Sequence, residues 1–373
     1  MRIAYVYPYL VHWGGVERIL IEKMNLLSQS ENDEIFAVTY NQSSHQIPYH
    51  LDTKVHFIDL NVRTHVRYNY RGLRRLWEGL KRHRLLYRRL KACLAEIRPD
   101  IIIATTSSEL SLLNKLKGNI PLIVESHDGY EHIGHSSSMT WLHRWNVRRR
   151  YRQLHKADVI ISLTESDAEK WRKHYPQVRV IPNVVHLNPT NQLSDVSQRR
   201  VIFVARLAEQ KGIPELMAIW RITHQRHPDW ILDMYGEGDH AYMSKMAPGM
   251  RAFPPVADIY SKYLESSVLV LTSRWEPFGL VLPEAMSCGV PVISFESDGP
   301  CSIITDGEDG YIIRNRDIGA FSNRLCQLIE NEELRRKMGK KAIMSAQRYA
   351  PERIMPLWHQ LFAELLGGRN TTT

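Results

Sequence analysis

Two glutamates, Glu276 and Glu284, lie eight positions apart in the part of this sequence that is richest in residues able to do chemistry. The stretch follows an apolar run predicted as a strand and passes through a loop into a predicted helix. The first carboxylate then lies in the loop and the second in the helix. The backbone N–H groups of Gly279, Leu280 and Val281 lie at the helix N-terminus, where anions bind. The pattern favours a site that holds phosphate on amides and hydroxyl groups on carboxylates.

Two cations follow an earlier predicted strand at residues 201–204. Arg206 and Lys211 lie in the loop after this strand, just before a helix that is predicted to begin near Ile213. Two fixed cations beside a helix N-terminus suit a diphosphate. A surface loop with incidental charges is the alternative.

A pair of glycines, Gly14 and Gly15, follows the first predicted strand and precedes a predicted helix at residues 16–27. Paired glycines at this place let backbone amides approach an anion closely, although an ordinary turn is the alternative. Neither GxGxxG nor GxxxxGK[ST] occurs here, which disfavours a dinucleotide oxidoreductase or a P-loop nucleotidase.

The elements that position these residues alternate between strand and helix along the whole chain. At 373 residues, the sequence exceeds the roughly 250 to 300 residues of a single core, so two domains are expected. Alternating strands and helices predict an α/β fold with two doubly wound, Rossmann-like parallel sheets facing each other across a cleft. The predicted domains are residues 1–185, residues 186–350, and a C-terminal helix from 351 that crosses back to the first domain and ends in a tail to 373. The predicted strands are 3–7, 35–40, 55–60, 101–105, 121–125, 159–163, 178–181, 201–204, 230–235, 267–271, 290–295 and 311–313.

The net charge of +9 is concentrated in one segment. Residues 71–91 contain nine Lys and Arg against the single acid Glu78, and Leu76, Leu80, Tyr87, Leu90 and Leu94 recur at helical spacing. The spacing predicts a long amphipathic helix with a basic face, and a second cluster of Arg and Lys with aromatics lies at residues 141–156. Such faces attract anionic lipid or nucleic acid phosphates; a solvated face is the alternative. No nucleic-acid-binding motif is present.

Composition and the chain start set the expected location. Four scattered cysteines give neither a disulfide framework nor a zinc motif, and no apolar run is long enough to span a bilayer. Residues 1–8 indicate a buried strand rather than a signal peptide. We expect a cytoplasmic protein that is peripheral on the cytoplasmic face of the inner membrane.

The stretch from Ser273 to Val292 resembles the E-x7-E element of retaining glycosyltransferase family 4, the large GT-B group that includes bacterial lipopolysaccharide, capsule and glycolipid enzymes. Other landmarks of this family occur in the same order along the chain. They are Gly14-Gly15-Val16-Glu17-Arg18, Glu125-Ser126-His127, Ile181-Pro182-Asn183-Val184, Arg206 with Lys211, Gly236-Glu237-Gly238 and Asp306-Gly307-Glu308-Asp309-Gly310.

The resemblance implies a role for each matching position. It implies that His127, Glu276, Arg206 and Lys211 are catalytic, with Glu276 near the reacting sugar carbon, His127 at the donor sugar and the two cations at the diphosphate. Glu284 would hold the ribose hydroxyls. The implied donor-binding residues are Gly15, Arg206, Lys211, Glu276, Phe278, Gly279, Leu280, Val281 and Glu284. Acceptor or membrane contacts are assigned to Gly14, Arg74, Arg75, Lys81, Arg82, Arg84, Arg88, Arg89, Arg148 and Arg149. Glu125 is displaced by one position from the family's Glu-His pair, so the resemblance leaves its role open.

The resulting hypothesis is a retaining glycosyltransferase that needs no metal or other cofactor. It would move a hexose or N-acetylhexosamine from a nucleotide sugar, expected to be a UDP-sugar, to a lipid-linked or envelope glycan at an anionic membrane surface, without binding nucleic acid. The resemblance implies retention of configuration but leaves open front-face attack or double displacement. Two alternatives are a GT-B epimerase or phosphorylase and a nucleic-acid-binding protein. His127, His132 and His135 lack a further ligand at a standard zinc spacing, so no metal site is predicted.

Overall fold

The computed structural model describes residues 1–132, 141–190, 192–238, 242 and 246–367, with residues 141–146 described by their backbone alone. The chain divides into two compact units. The first comprises Met1–Val184 together with the segment that begins at Met355, and the second comprises Val185–Ile354. The predicted tail beyond residue 367 lies outside the described residues.

The first unit is built on a seven-stranded sheet in which every paired strand is parallel. The order β3-β2-β1-β4-β5-β6-β7 reverses direction between β1 and β4. Central strands such as β4 are apolar and buried at every position, as expected for a parallel sheet covered on both faces. The strands are β1 (Arg2–Tyr7), β2 (Glu34–Thr39), β3 (Val55–Asp59), β4 (Ile101–Thr105), β5 (Leu122–Glu125), β6 (Val159–Ser162) and β7 (Val178–Val180).

Helices connect these strands and cover the sheet. The helix α1 buries Ile19, Leu20, Met24 and Leu27 at helical spacing, which is the face that packs in the core. The helices of this part of the chain are α1 (Gly15–Leu27), α2 (Gly72–Ile97), α3 (Leu110–Leu116), α4 (Trp141–Leu154) and α5 (Glu165–Arg172).

The second unit repeats the architecture with a six-stranded parallel sheet. Its order, β10-β9-β8-β11-β12-β13, reverses between β8 and β11. The strands are β8 (Arg200–Val204), β9 (Ile231–Tyr235), β10 (Met250–Phe253), β11 (Val268–Leu271), β12 (Val292–Phe295) and β13 (Gly310–Ile313). The described helices are α6 (Ile213–Arg226), α7 (Tyr260–Leu264), α8 (Val281–Ser287), α9 (Asp298–Ile303), α10 (Ile318–Glu330), α11 (Glu332–Ala346) and α12 (Pro351–Gly367). The prediction of two α/β parallel-sheet units is confirmed.

The edge strand β10 was missed by the sequence prediction. It is short and carries the charged residue Arg251. That side chain forms a two-pronged ion pair with the buried Asp233 of the neighbouring strand, at 2.7 and 2.8 Å. The strand is therefore stabilised by a partner that lies 18 positions away, which local apolar periodicity does not reveal.

The basic helix α2 buries only part of its predicted apolar face. Leu90 and Leu94 are buried, but Leu76 and Leu80, predicted to share their apolar face, are 65% and 58% exposed. The buried apolar side chains are Leu86, Leu90, Cys93, Leu94 and Ile97, all in the second half of the helix, whereas the first half buries only Glu78. The first half thus extends beyond the core with an apolar stripe of its own.

The last helix, α12, belongs to the first unit from Met355 onward. Trp358 of this helix lies over the ammonium group of Lys23 in α1, with the Nζ atom 4.1 Å from the ring centroid. Trp358 and Phe362 are buried. No helix in the described part of the chain combines the length and apolarity needed to cross a bilayer.

Candidate active site

The candidate residues of each sheet follow strands that lie at the reversal of strand order, except His127, which follows β5, one strand beyond it. In open parallel sheets, ligands bind beyond the carboxyl ends of the strands at this point, because loops on its two sides diverge and leave a crevice. In the second unit the reversal lies between β8 and β11. Arg206 and Lys211 follow β8, and Glu276 follows β11. In the first unit, Gly14 and Gly15 follow β1, and His127 follows β5.

Lys211 and Glu276 meet directly, although 65 positions separate them. The Lys211 ammonium donates to Glu276 Oε2 at 2.7 Å, and the hydroxyl of Ser273 donates to the same oxygen at 2.9 Å. The two charged side chains are only 17% and 13% exposed. The structure therefore brings together a cation and a carboxylate that the sequence could place only in separate loops.

Gly212 allows the two loops to approach. Its φ is +67°, and a Cβ atom there would lie 2.0 Å from the carbonyl oxygen of Thr272, so any other residue would clash. Hydrogen bonds to main-chain carbonyls also join the loops, from Thr272 Oγ1 to the Lys211 carbonyl at 2.9 Å and from the Arg274 amide to the Gln210 carbonyl at 2.8 Å. This connection sets the distance between Lys211 and the loop that carries Glu276.

A second layer of charged residues supports the same loops. Arg316 donates to the Ser273 and Thr272 carbonyls at 3.0 and 3.2 Å and to Glu215 at 3.1 Å. Arg274 also donates to Glu215, at 3.1 Å. Burial would raise the pKa of Glu215, but hydrogen bonding and the two arginines lower it, so it stays a carboxylate. Arg316, Arg274 and Glu215 are not identified as supporting residues by the sequence analysis. The only signal in the sequence was an acidic residue, Glu215, in the first turn of α6.

Arg206 contrasts with Lys211 because its side chain is exposed. Within the described residues its guanidinium makes no ion pair and no hydrogen bond. Its cation is therefore available to an anionic ligand at the end of β8, and its planar donors suit phosphate oxygens.

The helix α8 holds the second glutamate in a buried position. Glu284 is 1% exposed, and the hydroxyl of Tyr263 in α7 donates to its Oε2 at 2.9 Å. Phe278 is also buried and packs edge-on against Tyr349, so its side chain anchors the loop in the core. Gly279, Leu280 and Val281 connect that anchor to the start of α8, where Leu280 is the N-cap.

The glycine pair of the first unit lies at the start of α1. Gly14 is the N-cap and Gly15 the first helical residue. The carboxylate of Glu17 occupies the space beside Gly14, since a Cβ atom there would lie 2.3 Å from Glu17 Oε2. The Gly14 carbonyl accepts hydrogen bonds from the Arg18 amide at 3.1 Å and from the Tyr49 hydroxyl at 3.3 Å.

His127 lies at the end of β5 beside a buried ion pair. Its Nε2 atom is 3.2 Å from Oε2 of Glu125, and its side chain is 5% exposed. Glu125 in turn contacts the ammonium group of Lys23. His127, His132 and His135 are the histidines considered above as a metal site, and His135 lies outside the described residues. The described residues contain no group of three or more His, Cys, Asp and Glu arranged to hold a metal ion.

The predicted basic contacts divide into two classes. Arg82 and the exposed Arg89 donate to the carbonyls of Val62 at 2.7 Å and Leu60 at 2.6 Å, in the segment that follows β3, so they fix α2 in place. The others in α2 are exposed: Arg74, Arg75, Lys81, Arg84 and Arg88. Of the second cluster, Arg148 and Arg149 are exposed on α4.

Two family signatures match consecutive parts of this chain. The signature described as glycosyltransferase family 4 matches residues 13–188, and the one described as glycosyl transferases group 1 matches residues 187–344. The first match contains Gly14, Gly15 and His127. The second contains Arg206, Lys211, Glu276 and Glu284.

Individual relatives agree with these signatures. An uncharacterized glycosyltransferase of Haemophilus influenzae is 25% identical over 364 residues, which cover 92% of this chain and 95% of that protein. The amylovoran biosynthesis glycosyltransferase AmsD of Erwinia amylovora is 30% identical over 221 residues, which cover 55% of this chain and 62% of AmsD.

A solved structure shows the same fold over nearly the whole chain. It is Anabaena Alr3699/HepE in complex with UDP, with a TM-score of 0.74, 17% identity, and coverage of 98% of this chain and 100% of that one. The two parallel-sheet units, the two consecutive signatures and these relatives agree, and the chain belongs to the family 4 glycosyltransferases of the GT-B fold.

Proposed function

We propose that this glycosyltransferase moves a hexose or N-acetylhexosamine, with retention of configuration and without a metal ion, from a UDP-sugar to a lipid-linked or envelope glycan. The observation that carries the donor half is the meeting of Lys211 and Glu276. Arg206, which follows the same strand β8 as Lys211, is exposed and has no ion pair or hydrogen bond among the described residues. Glycosyl transfer from a nucleotide sugar leaves a diphosphate, and fixed cations stabilise the charge where it develops. Because two protein cations are available for that task, the proposal needs no metal ion.

Lys211 and Glu276 have complementary tasks in this proposal. The diphosphate would draw the ammonium group of Lys211, and the Glu276 carboxylate would then face the donor sugar. Ser273 keeps Glu276 oriented at 2.9 Å, and the Glu276 amide and carbonyl contact the hydroxyl of Ser297, each at 3.2 Å. A carboxylate held in this way can bind a sugar hydroxyl without losing its position.

The choice of UDP is supported by the complex of HepE with UDP and is tested by ligand binding. A thermal-shift panel of UDP, GDP, ADP and NAD is measured on the native chain and on Arg206→Ala. At about 100 times the Kd, a ligand adds roughly 2.7 kcal/mol to stability, which gives a shift of several degrees. We expect a shift with UDP that falls to about half or less in Arg206→Ala. A shift with GDP alone would mean that the donor is a GDP-sugar instead of a UDP-sugar. A shift with NAD, or with none of the four ligands, would contradict the proposed donor site.

The reaction type is tested with the matching UDP-sugar. Without acceptor, a transferase shows only slow hydrolysis, whereas an epimerase would convert the donor sugar to its epimer. With acceptor, proton NMR of the new anomeric centre distinguishes retention from inversion. An inverted product, or a rate that falls after chelation and recovers with a divalent cation, would contradict the corresponding part of the proposal.

The acceptor half rests on the first part of α2. Leu73, Leu76, Trp77 and Leu80 recur at helical spacing and are 84, 65, 60 and 58% exposed. Exposed apolar side chains in one stripe indicate an interaction surface. Arg74, Lys81 and Arg88 follow one edge of that stripe, and Lys81 lies over the ring of Trp77 at 5.2 Å. Apolar residues beside cations match the interior and the headgroups of an anionic bilayer, so we propose that this surface holds the enzyme at its acceptor.

Vesicle flotation tests the surface. We expect binding to vesicles that contain anionic lipid, weaker binding at high salt, and loss of binding in Leu76→Ser/Trp77→Ser. Fully burying one such side chain is worth about 1.5 to 3 kcal/mol, so two losses lower the partition coefficient at least about a hundredfold. Met344→Ser removes a side chain that is 75% exposed on another helix and serves as the matched control. Equal flotation of the double variant and the control would contradict the membrane surface, and salt-sensitive RNA binding instead would favour nucleic acid.

A further inference from the structure

The first unit contains a buried pair of opposite charges that takes no part in the proposed donor site. Lys23 and Glu125 are 2% and 1% exposed, and the Lys23 ammonium donates to Glu125 Oε2. Lys23 comes from α1 and Glu125 from the end of β5, 102 positions later. Removing two charges from water costs free energy, so a buried pair of this kind is a poor way to gain stability alone.

The cation is enclosed on several sides. The Nζ atom lies 4.1 Å from the ring centroid of Trp358 and 5.7 Å from that of Tyr5. Aromatic faces attract a cation, and more strongly where water is excluded. Burial lowers the pKa of Lys23, and Glu125 opposes that change. The aromatic rings and the carboxylate therefore keep the ammonium group at one place.

The carboxylate is charged and faces His127. Burial would raise the pKa of Glu125, but the charge of Lys23 and the contact with His127 lower it to about 2. Its Oε2 atom is 3.2 Å from Nε2 of His127. Two lone pairs at this distance would repel, which favours the proton on Nε2, although no hydrogen bond joins Nε2 to Glu125 in this geometry. In the neutral ring Nδ1 is then the acceptor.

We propose that Lys23 and Glu125 form a positioning pair that keeps Nε2 of the His127 imidazole beside Glu125, so that Nδ1 is the atom that accepts a hydrogen bond from a sugar hydroxyl at the carboxyl end of β5. The proposal rests on the proposed function, with His127 contacting a sugar as the family resemblance implies. It gives Glu125, which never touches substrate, a task in orienting a group that does. The competing explanation is an ion pair that only stabilises the fold.

A set of neutral replacements separates these explanations. Glu125→Gln and Lys23→Met each leave one buried charge unpaired, so both lower the thermal midpoint, whereas Lys23→Met/Glu125→Gln removes both charges and recovers it. We expect the kcat of the double variant to stay at least about tenfold below that of the native enzyme, with KM for the donor little changed. In the His127→Ala background, Glu125→Gln should cause no further loss of kcat.

The control is an ion pair at the opposite edge of the same sheet. Lys117 contacts Asp158 at 2.7 Å just before β6, at the amino-terminal edge. Lys117→Met should lower the thermal midpoint without changing kcat. If the double variant recovers both stability and kcat, or if Glu125→Gln still lowers kcat without His127, the positioning role is wrong.

Nitrogen NMR tests the orientation without any substrate. The chain has 17 histidines, and the signals of His127 are assigned by their loss in His127→Ala. We expect the Nε2-protonated form in the native protein and a mixture of both tautomers in Glu125→Gln. An unchanged His127 spectrum would overturn the positioning role while leaving the donor site intact. Conversely, if the enzyme proves not to transfer sugar from UDP, the proposed function fails but the NMR result is unaffected. Failure of the proposed function and failure of the positioning role can therefore be told apart.

Discussion

Replacing the two donor-site cations one at a time should weaken UDP binding to different extents. Arg206 is exposed and unpaired in the described part of the chain, whereas Lys211 is paired with Glu276 at 2.7 Å. Removing Arg206 therefore deletes an attraction and does little else. Removing Lys211 deletes an attraction and also leaves the partly buried Glu276 carboxylate unpaired beside the diphosphate.

The magnitudes follow from this difference. A hydrogen bond to a charged group is worth about 1.5 to 3 kcal/mol, so Arg206→Ala should weaken UDP about 10- to 150-fold. Two like charges about 5 Å apart repel by about 3 kcal/mol at an effective dielectric constant of about 20. Lys211→Met should therefore bind UDP at least about tenfold more weakly than Arg206→Ala. Lys211→Met/Glu276→Gln removes the repulsion and should return to the range of Arg206→Ala.

Isothermal titration with UDP and with uridine measures these affinities. Uridine lacks the diphosphate, so its affinity should be the same in all of these variants. Arg199→Ala is the matched control, because Arg199 is 67% exposed and pairs with Asp229 in the same unit. Equal UDP affinity of Lys211→Met and its double variant would refute the repulsion argument. A loss for uridine as large as that for UDP would show that the cations do not act on the diphosphate.

Three further predictions concern the loops, the buried pair and metal ions. Gly212→Ala should lower the free energy of unfolding by several kcal/mol and abolish UDP binding, because the added Cβ would lie 2.0 Å from a carbonyl oxygen. The control is Gly307→Ala, which is also at positive φ but has open space around it. It should lower the free energy of unfolding by only about 1 to 2 kcal/mol, as measured by thermal unfolding. Because the folded pKa of Glu125 is about 2, below the ordinary 4.5, the stability that its ionised form contributes is present above pH 4.5 and is lost as the pH falls toward 2. Acid titration of unfolding should show this loss in the native chain and not in Lys23→Met/Glu125→Gln. Chelation with EDTA should leave the initial transfer rate unchanged, and a loss restored by magnesium would count against a metal-free reaction.

Much of the fold could be predicted because its signals are local. Apolar runs of strand length separated by helical segments identified every described strand except β10, whose Arg251 depends on a partner in another strand. The types of the donor-site residues were also recognisable, since a cation or a glycine in a loop after a strand is visible in the sequence. The exposed side of α2 was not, because helical spacing shows a stripe without showing what covers it.

The sequence by itself determined two parallel-sheet units, the loops that carry Arg206, Lys211 and Glu276, and membership of a glycosyltransferase family. Only the tertiary structure decided that Lys211 and Glu276 meet and that Lys23, Glu125 and His127 form a chain of contacts. The physical reason is that these contacts join side chains from separate strands and helices, up to 102 positions apart. Their geometry depends on strand order and on the close approach of loops, and neither quantity is encoded in local periodicity.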